Sequence, residues 1–401
     1  MTDQITRCCI AGGGPAGMMA GFLLARAGID VIVLEKHANF LRDFRGDTVH
    51  PSTLQVLHEL GLLQGLLVRP HSEVRTVSAQ IGNDVVQLAD FEHLPTQCRF
   101  IAMMPQWDFL DFIAGEAQRY PTFRLMMRTE ATGLIEQDGH VAGVIAQSPD
   151  GQSRVYADLV IAADGRHSTL RTEAGLTAID KGAPMDVLWL RLSRRPEESS
   201  QAFGRIDAGR MLVQINRGDY WQCAYLIAKG GFDAVRKKGL QAFRAEIARL
   251  SPALSDRVHE LASWDDVKLL TVAVNRLPRW SKPGLLCIGD AAHAMSPIGG
   301  VGINLAIQDA VAAANILVPA FGAGIPTPAH LAAVQRRREL PTRLTQGLQI
   351  FIQNRVIASV LRSTDTPRPP LALRLLDRSA LLRRIPARVI GMGFRPEHVH
   401  Q

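Results

Sequence analysis

The sequence has no long uncharged apolar run, although 47% of its 401 residues are hydrophobic. A membrane-spanning helix needs about 20 largely apolar residues in succession, so we expect none. The 21% charged fraction is ordinary for a globular protein, and the length allows two domains. The first apolar strand begins near residue 6, which leaves no room for a signal peptide, so we expect a cytoplasmic protein.

Cysteine is scarce, and the chain has only five: Cys8, Cys9, Cys98, Cys223 and Cys287. The number is odd and the spacing matches no zinc or iron–sulfur pattern. We therefore predict buried, reduced thiols, as is usual in a reducing compartment, and no metal centre.

Lysine is absent from the C-terminal part of the chain. Residues 336–401 contain 13 arginines and 4 acidic residues, a net charge of +9, which leaves −2 of the total of +7 for the rest. No basic stripe interleaved with aromatic residues accompanies this charge, so we predict no nucleic-acid binding. Internal repeats and low-complexity segments are also absent.

Glycine is concentrated at the end of the first apolar run, within residues 8–17. Gly12, Gly14 and Gly17 fit the pattern GxGxxG between a strand and a helix. The first glycine allows a tight turn, the second lets a pyrophosphate approach the backbone, and the third lets the helix pack on the strand. The free N–H groups at the helix start would then face the phosphates.

An acidic residue follows at the spacing that a dinucleotide site requires. A second apolar run, residues 31–34, stops at Glu35, eighteen residues after Gly17. Its carboxylate can accept hydrogen bonds from the two ribose hydroxyls of an adenosine. The N-terminal segment therefore predicts dinucleotide binding.

Two more apolar runs end in a turn signal, one at Asp164 and the other at Gly289 and Asp290. Each could be an ordinary Asp-Gly or Gly-Asp turn. Ligands of open α/β sheets bind where the carboxyl ends of strands converge, so the three ends together predict one extended cofactor.

These motifs resemble those of the p-hydroxybenzoate hydroxylase-like, single-component FAD-dependent aromatic hydroxylases. The resemblance rests on the glycines of residues 12–17 with Glu35, and on residues 164–171, which match D-G-x-x-S-x-x-R. It rests also on residues 289–293, followed by Pro297 and the run 299–304. The resemblance implies an α/β fold, with a Rossmann-like FAD-binding domain and an inserted, mostly antiparallel substrate-binding sheet. A helical C-terminal tail would follow.

The implied domains are discontinuous. Residues 1–75, 100–180 and 268–335 would form the FAD-binding domain. Residues 76–99 and 181–267 would form the substrate-binding sheet, and residues 336–401 a basic helical segment.

The resemblance also implies which residues hold the cofactor. Asp290 would bind a ribitol hydroxyl, and the helix starting near Gly302 would aim its N–H groups at the flavin pyrimidine edge. The full set of implied FAD contacts is Gly12, Gly14, Pro15, Ala16, Gly17, Glu35, Lys36, Arg45, Gln106, Asp164, Gly165, Gly289, Asp290, Pro297, Gly300, Val301, Gly302, Ile303 and Asn304.

The implied reaction is hydroxylation of an aromatic substrate, phenol-like or polycyclic, with NAD(P)H and O2 through a C4a-hydroperoxyflavin. No second GxGxxG occurs, so NADPH or NADH would bind transiently. The substrate would lie between the flavin and the sheet of residues 182–228, against candidates Trp189, Arg191, Tyr220, Trp221, Tyr225 and Pro297. A phenol hydroxylase benefits from a general base; His50 and His293 are the candidates, and no catalytic residue is assigned.

Three other functions share these nucleotide-binding motifs. An FAD-dependent reductase of isoprenoid double bonds would need no oxygen. A flavin halogenase would carry the signature G-W-x-W-x-I-P, which is absent. A non-catalytic FAD-binding module would never be reduced by NAD(P)H.

The tail has a basic amphipathic pattern within residues 371–390, where leucines alternate with arginines. Such a segment could lie on an anionic membrane as a peripheral contact. The alternatives are a helix docked on the FAD domain and a contact in a homodimer.

Overall fold

The computed structural model describes residues 3–41, 48–198 and 203–400. The strands found in these ranges are, in chain order, β1 (Asp3–Ala11), β2 (Val31–Glu35), β3 (Thr48–Val49), β4 (Ser72–Val74), β5 (Thr76–Ile81), β6 (Asp84–Asp90), β7 (Ile101–Met103), β8 (Phe123–Met127), β9 (Glu130–Gln137), β10 (His140–Ser148), β11 (Gly151–Ala162), β12 (Ile179–Asp180), β13 (Met185–Ser193), β14 (Phe203–Asp207), β15 (Arg210–Asn216), β16 (Tyr220–Ala228), β17 (Lys268–Leu270), β18 (Asn275–Arg276), β19 (Ser281–Lys282), β20 (Leu285–Cys287) and β21 (His293–Ala294).

The helices of the same ranges are α1 (Pro15–Arg26), α2 (Pro51–Glu59), α3 (Leu63–Leu67), α4 (Gln106–Ala117), α5 (Thr169–Glu173), α6 (Phe232–Lys237), α7 (Leu240–Leu250), α8 (Gly302–Ala323), α9 (Pro328–Ile352), α10 (Ala358–Arg362), α11 (Leu371–Arg378) and α12 (Ala380–Gly391). Short 3-10 turns cover Gly289–Ala291 and Ile298–Gly300, and a π-helical turn covers Gln353–Ile357.

The first sheet is parallel at its centre. Its strands run in the order β20, β11, β1, β2 and β8, with β19 added antiparallel at the β20 edge and the β9–β10 hairpin paired to the start of β11. The central strand β1 is apolar because neighbouring strands and helices cover it, and Cys8, Cys9 and Ile10 are fully buried. This sheet confirms the predicted α/β, Rossmann-like class.

The second sheet has seven strands in the order β17, β13, β16, β15, β14, β5 and β6. All its pairs are antiparallel except β14 with β5. Strands from residues 76–90 and 185–228 share it, as the mostly antiparallel insertion predicts. β17 extends it beyond the predicted boundary at residue 267, and the domain division itself stays a prediction.

The helix α8 is the only described helix that is long and apolar enough to cross a membrane, over Ile298–Ala323 with the turn before it. Its surroundings assign it another role, because 67% of that window is buried inside the protein. It packs along α1 and α9. The helix starts at the predicted Gly302 and runs to Ala323.

All five cysteines are buried and none forms a disulfide. Burial raises the pKa of the Cys9 and Cys287 thiols to about 12, which keeps them protonated. No metal-binding group of His, Cys, Asp or Glu occurs in the part of the chain that the structure describes.

Candidate active site

Three loops meet at one edge of the parallel sheet because the strands before them end in register. Ala11 of β1 lies beside Ala162 of β11, which lies beside Cys287 of β20. Backbone bonds continue past the strand ends, with Ala163 N donating to Ala11 O at 2.8 Å and Ile288 N to Ala162 O at 3.0 Å. The three loops predicted to hold one extended cofactor are therefore neighbours.

The glycine turn between β1 and α1 has two positions that exclude a side chain and one that does not. Gly12 has φ +104, and a Cβ there would lie 2.3 Å from Ala163 O. A Cβ on Gly17 would lie 2.0 Å from Gly12 O. A Cβ on Gly14 would meet no described atom within 4 Å. Gly12 and Gly17 shape the turn, whereas Gly14 borders open space.

Glu35 ends β2 beside this turn and is only 7% exposed. Its Oε2 accepts from Gly13 N at 3.0 Å and its Oε1 from His37 N at 2.9 Å. The neighbouring Lys36 is 55% exposed and lies 3.6 Å from a carboxylate oxygen of Glu130. Glu35 thus braces the glycine turn at the position expected of a ribose ligand. Pro15 and Ala16 open α1.

The motif after β11 is held by its own side chains. The Asp164 carboxylate accepts from Ser168 Oγ at 2.5 Å and from Leu170 N at 3.2 Å, and Gly165 has φ +87. Arg171 donates to the carbonyl of Ala291 at 3.0 Å. Burial raises the pKa of Asp164 and these hydrogen bonds oppose that shift. The motif therefore ties its own loop to the loop after β20.

The loop after β20 contacts both of the other loops. Arg166 approaches Asp290, with 3.6 Å between Nη2 and Oδ2. A Cβ on Gly289, whose φ is +59, would lie 3.0 Å from the Cβ of Ala16 and 3.4 Å from that of Ala306. Gly289 is therefore pressed between the starts of α1 and α8, and Asp290 is left one-third exposed at the junction.

We call residues 296–302, between β21 and α8, the flavin loop. Pro297 precedes a 3-10 turn in which Gly299 and Gly300 have φ values of +76 and +63. Thr48 Oγ1 donates to Gly300 O at 2.8 Å. The first helical bond runs from Leu305 N to Val301 O at 2.9 Å, so the N–H groups of the first turn of α8, including Gly302 and Ile303, point out of the helix end.

The side-chain amide of Asn304 makes hydrogen bonds within the protein through both its oxygen and its nitrogen. Oδ1 accepts from His50 N and from Thr53 Oγ1, each at 2.8 Å, and Nδ2 donates to Thr48 O at 3.0 Å. The expected contact of Asn304 with the cofactor is therefore limited to its backbone. Gln106 begins α4 directly after Pro105, and Arg45 lies outside the described residues.

The two candidate bases are both buried. His50 Nδ1 bonds to Ile390 O at 2.8 Å, and burial lowers its pKa to about 4, so the ring is neutral and weakly basic near pH 7. His293 Nε2 lies 2.6 Å from Asp309 Oδ2 and its ring packs on Trp280. Neither arrangement singles out a general base.

The seven-stranded sheet has two differently covered faces. Residues of one face, which we call the pocket face, pack with Ile298 of the flavin loop and with Ile352, Ile357 and Leu361 of the C-terminal helices. The pocket face comprises Met185, Val187, Trp189, Met211, Val213, Ala224 and Leu226. The opposite face packs on α7 through Phe243 and Ile247.

Two of the predicted substrate residues lie on the face opposite the flavin loop. Trp221 and Tyr225 belong to the α7 side, where Tyr225 donates its hydroxyl to Glu246 at 2.7 Å and Trp221 donates Nε1 to Glu198 at 2.7 Å. Side chains alternate between the two faces of a strand, and the sequence does not show which alternate set lies on the side of the flavin loop. Both side chains point away from that loop, which does not favour them as substrate contacts.

The other sheet candidates differ in depth. Trp189 lies in the pocket face near Ile298. Arg191 and Tyr220 share its parity but lie at the far end of the β13–β16 pair, where the Arg191 guanidinium stacks 3.9 Å from the centre of the Tyr220 ring. Arg191 is also 60% exposed and 3.7 Å from Asp219. Of the sheet candidates, Trp189 alone is placed beside the flavin loop.

A buried ionic network supports the loop after β20. Its central residue, Asp309, is not among the site residues predicted from the sequence. Asp309 on α8 is fully buried; its carboxylate accepts from Gly289 N at 3.1 Å, from His293 and from Arg338 Nε at 3.0 Å. Arg338 also bonds Glu397 at 3.2 Å. Burial raises the pKa of Asp309, but His293 and Arg338 more than offset this and hold it below its ordinary value. The signal in the sequence was a charged residue inside an otherwise apolar helix.

Three glutamines at the end of α9 and in the turn after it hydrogen-bond the flavin loop and the strand before it, and none is among the predicted site residues. Gln346 Nε2 donates to Ala294 O at 3.0 Å, and Gln349 Nε2 to Ser296 O at 3.0 Å and to Ile298 O at 2.9 Å. Gln353 Nε2 donates to Ser296 Oγ at 2.6 Å. Their spacing places them along one helix side, and all three are buried.

The geometry fits an extended FAD. Open space lies at Gly14, where a side chain would fill the approach to the helix start, and the partly exposed Asp290 and Asp164 line the adjoining loops. Two helix N-termini, those of α1 and α8, offer N–H groups for the pyrophosphate and for the electron-rich edge of the flavin ring. The residues present therefore match the donor set that this cofactor needs.

Comparison with known proteins agrees with this geometry. The chain matches the FAD binding domain family over residues 5–347. A 6-methylpretetramide 4-monooxygenase of Streptomyces rimosus is 32% identical over 387 residues, covering 96% of this chain and 92% of that protein. A para-nitrophenol 4-monooxygenase of Pseudomonas sp. (strain WBC-3) is 24% identical, covering 79% of each.

Among solved structures, the OxyS anhydrotetracycline hydroxylase from Streptomyces rimosus superposes with a TM-score of 0.73 at 23% identity, over 97% of this chain and 76% of that one. A likeness at this identity shows a shared fold. With the family match and the 32% identical relative, the chain belongs to the FAD binding domain family and is an FAD-dependent oxidoreductase of the aromatic monooxygenase type.

Proposed function

We propose that this enzyme hydroxylates a phenolic substrate with fused aromatic rings, using NAD(P)H and O2. The observation that supports this proposal most is the pocket face, a broad set of apolar sheet residues that packs with Ile298 of the flavin loop. A flat aromatic substrate suits such a lining, because ring systems bury a large apolar area. The relative that acts on 6-methylpretetramide, by its name, supports a substrate of several fused rings.

Bound FAD would supply the redox chemistry, accepting a hydride from NAD(P)H and activating oxygen for transfer to the ring. The chain itself positions and encloses the reactants. Trp189, Val213 and Leu226 on the pocket face hold the aromatic rings, and Ile298 and Ile352 cover them from the side of the flavin loop. This apolar enclosure keeps water away from the reacting atoms.

A candidate binding groove for NAD(P)H lies beside the Asp164 motif. A surface groove of about 460 Å³ is lined by Arg166, His167, Arg171 and Asn275. Two guanidinium groups there favour the phosphates of a nicotinamide dinucleotide. The groove adjoins Asp290 through Arg166, so NAD(P)H bound in it would lie beside the cofactor loops.

The test is NAD(P)H oxidation by the FAD-loaded enzyme with phenols of increasing ring number, namely phenol, naphthol, anthrol and 6-methylpretetramide. We expect the fused-ring phenols to stimulate oxidation more than phenol does. Equal or absent stimulation by all four would overturn the proposed substrate class. Anaerobic reduction of an isoprenoid double bond would instead support the alternative reductase.

We also propose that the protein works in the cytoplasm and touches an anionic membrane through its tail. Helices α11 and α12 pack on β6 of the second sheet through Asp377 and Ala387, whereas the docking alternative in the sequence named the FAD domain. Their outer side remains exposed and combines apolar residues with cations: Leu371, Leu375, Leu381, Leu382, Ile385, Arg374, Arg378, Arg384 and Arg388. Each arginine adds about 1 kcal/mol of attraction to an anionic surface.

Vesicle co-sedimentation tests this contact. The full-length protein should bind vesicles that contain phosphatidylglycerol and not vesicles of phosphatidylcholine alone. The triple variant Leu371→Ser, Leu375→Ser, Leu381→Ser should lose that binding. The control Leu340→Ser, Leu344→Ser removes exposed leucines of α9 and should keep it. Binding by all three proteins alike would overturn the proposal, and a concentration-dependent dimer lost in the triple variant would favour a homodimer contact instead.

A further inference from the structure

The π-helical turn at the end of α9 places one unusual side chain beside the flavin loop. α9 ends at Ile352 and the turn Gln353–Ile357 follows before α10. Such turns are rare and are found frequently at functional sites. Gln353 is the first residue of this turn and is fully buried.

Gln353 differs from the two other glutamines of the series in its hydrogen bonding. Gln349 uses both ends of its amide, accepting from Ser296 N at 3.2 Å and donating to Ser296 O and Ile298 O. Gln346 also uses both, accepting from Arg276 at 3.0 Å. Gln353 donates Nε2 to Ser296 Oγ at 2.6 Å, while its Oε1 has no partner among the described residues.

A buried acceptor without a partner is costly, so its presence calls for a function. Its neighbours indicate which. Ile352 comes directly before Gln353 and Ile357 comes four residues after it. Both pack with Ile298 and the pocket face. The Gln353 amide is therefore held beside Ser296 of the flavin loop, on the stretch of chain whose apolar residues pack with the pocket face.

We propose that the Gln353 amide hydrogen-bonds the hydroxyl group of the phenolic substrate and so orients the ring against the flavin. This inference rests on the proposed function. A phenolic hydroxyl both donates and accepts, so it can satisfy the free end of the amide while Ser296 holds the other end. One directional polar contact in an apolar pocket would fix which ring carbon faces the cofactor.

The test compares binding of naphthol and of its methyl ether, methoxynaphthalene, to the FAD-loaded enzyme by the change in flavin absorbance. The variant Gln353→Met keeps the side chain length but removes both polar atoms. We expect it to weaken naphthol binding by about tenfold, the scale of one hydrogen bond, and to leave methoxynaphthalene unchanged. The matched control Gln349→Met disturbs the same loop and should affect the two compounds equally.

The outcomes separate the two proposals. If the wild-type enzyme binds neither compound, the proposed substrate class is wrong and the role of Gln353 falls with it. If both bind and Gln353→Met weakens them equally, the role of Gln353 alone is overturned. Should Gln353→Met fail to retain FAD, Gln353→Asn supplies the same comparison, because it keeps an amide but withdraws it by one methylene group.

Discussion

Replacing Asp309 by alanine should lower the free energy of unfolding by about 3–5 kcal/mol and weaken FAD binding. The change leaves Arg338 and His293 buried without their shared carboxylate, and breaking a buried charge pair costs on that scale. Gly289 N also loses its acceptor beside Asp290. Thermal unfolding and titration of the apoprotein with FAD measure the two effects.

The control is Arg119→Ala, which removes an ion pair whose arginine is exposed at the surface. Arg119 lies 2.7 Å from Glu116 on one helix end and is 72% exposed. Exposed pairs contribute only about 0.2–1 kcal/mol, so this variant should unfold almost as the wild type does. Equal destabilisation by the two substitutions would contradict the structural role given to the buried network.

The variant Gly14→Leu should fold normally and lose FAD. Gly14 has φ −75, and a Cβ there meets no described atom, so neither strain nor a clash opposes folding. The side chain would instead occupy the approach to the N–H groups at the start of α1. Losing one or two charge-assisted hydrogen bonds costs roughly 3 kcal/mol, or about a hundredfold in the FAD dissociation constant.

Gly115→Leu is the matched control for this substitution. Gly115 lies in α4, where an added Cβ also meets no described atom within 4 Å. Neither variant should have a thermal midpoint below that of the wild-type apoprotein, because Gly115→Leu improves helix propensity, and Gly115→Leu should also keep the wild-type FAD affinity. A Gly14→Leu protein that binds FAD as tightly as the wild type would contradict the placement of the pyrophosphate.

The sequence predicted the local features of the site well because each is set by short-range chemistry. The glycine turn needs a positive φ at Gly12 and close packing at Gly17, and glycine at these two positions meets both requirements. The start of α8 at Gly302 follows in the same way from the glycines before it. The meeting of three strand ends followed from the general rule for open α/β sheets.

Features that depend on distant packing were beyond the sequence. Which alternate residues of β16 lie on the side of the flavin loop depends on where α7 and that loop dock, so the sequence does not show that Trp221 and Tyr225 pack on α7. One partner of Asp309, Arg338, lies 29 residues away along the chain and in turn bonds Glu397. No periodicity in the sequence relates such residues to one another. A charged residue in an apolar helix nevertheless indicates that a partner for its charge exists.

The most direct test of the enzymatic account is turnover with isotopically labelled dioxygen, NADPH or NADH, and a fused-ring phenol. We predict that one labelled oxygen atom enters the hydroxylated product, and that omitting O2 abolishes product formation. Product formed without oxygen, or hydroxylated product that carries oxygen from water, would contradict the account.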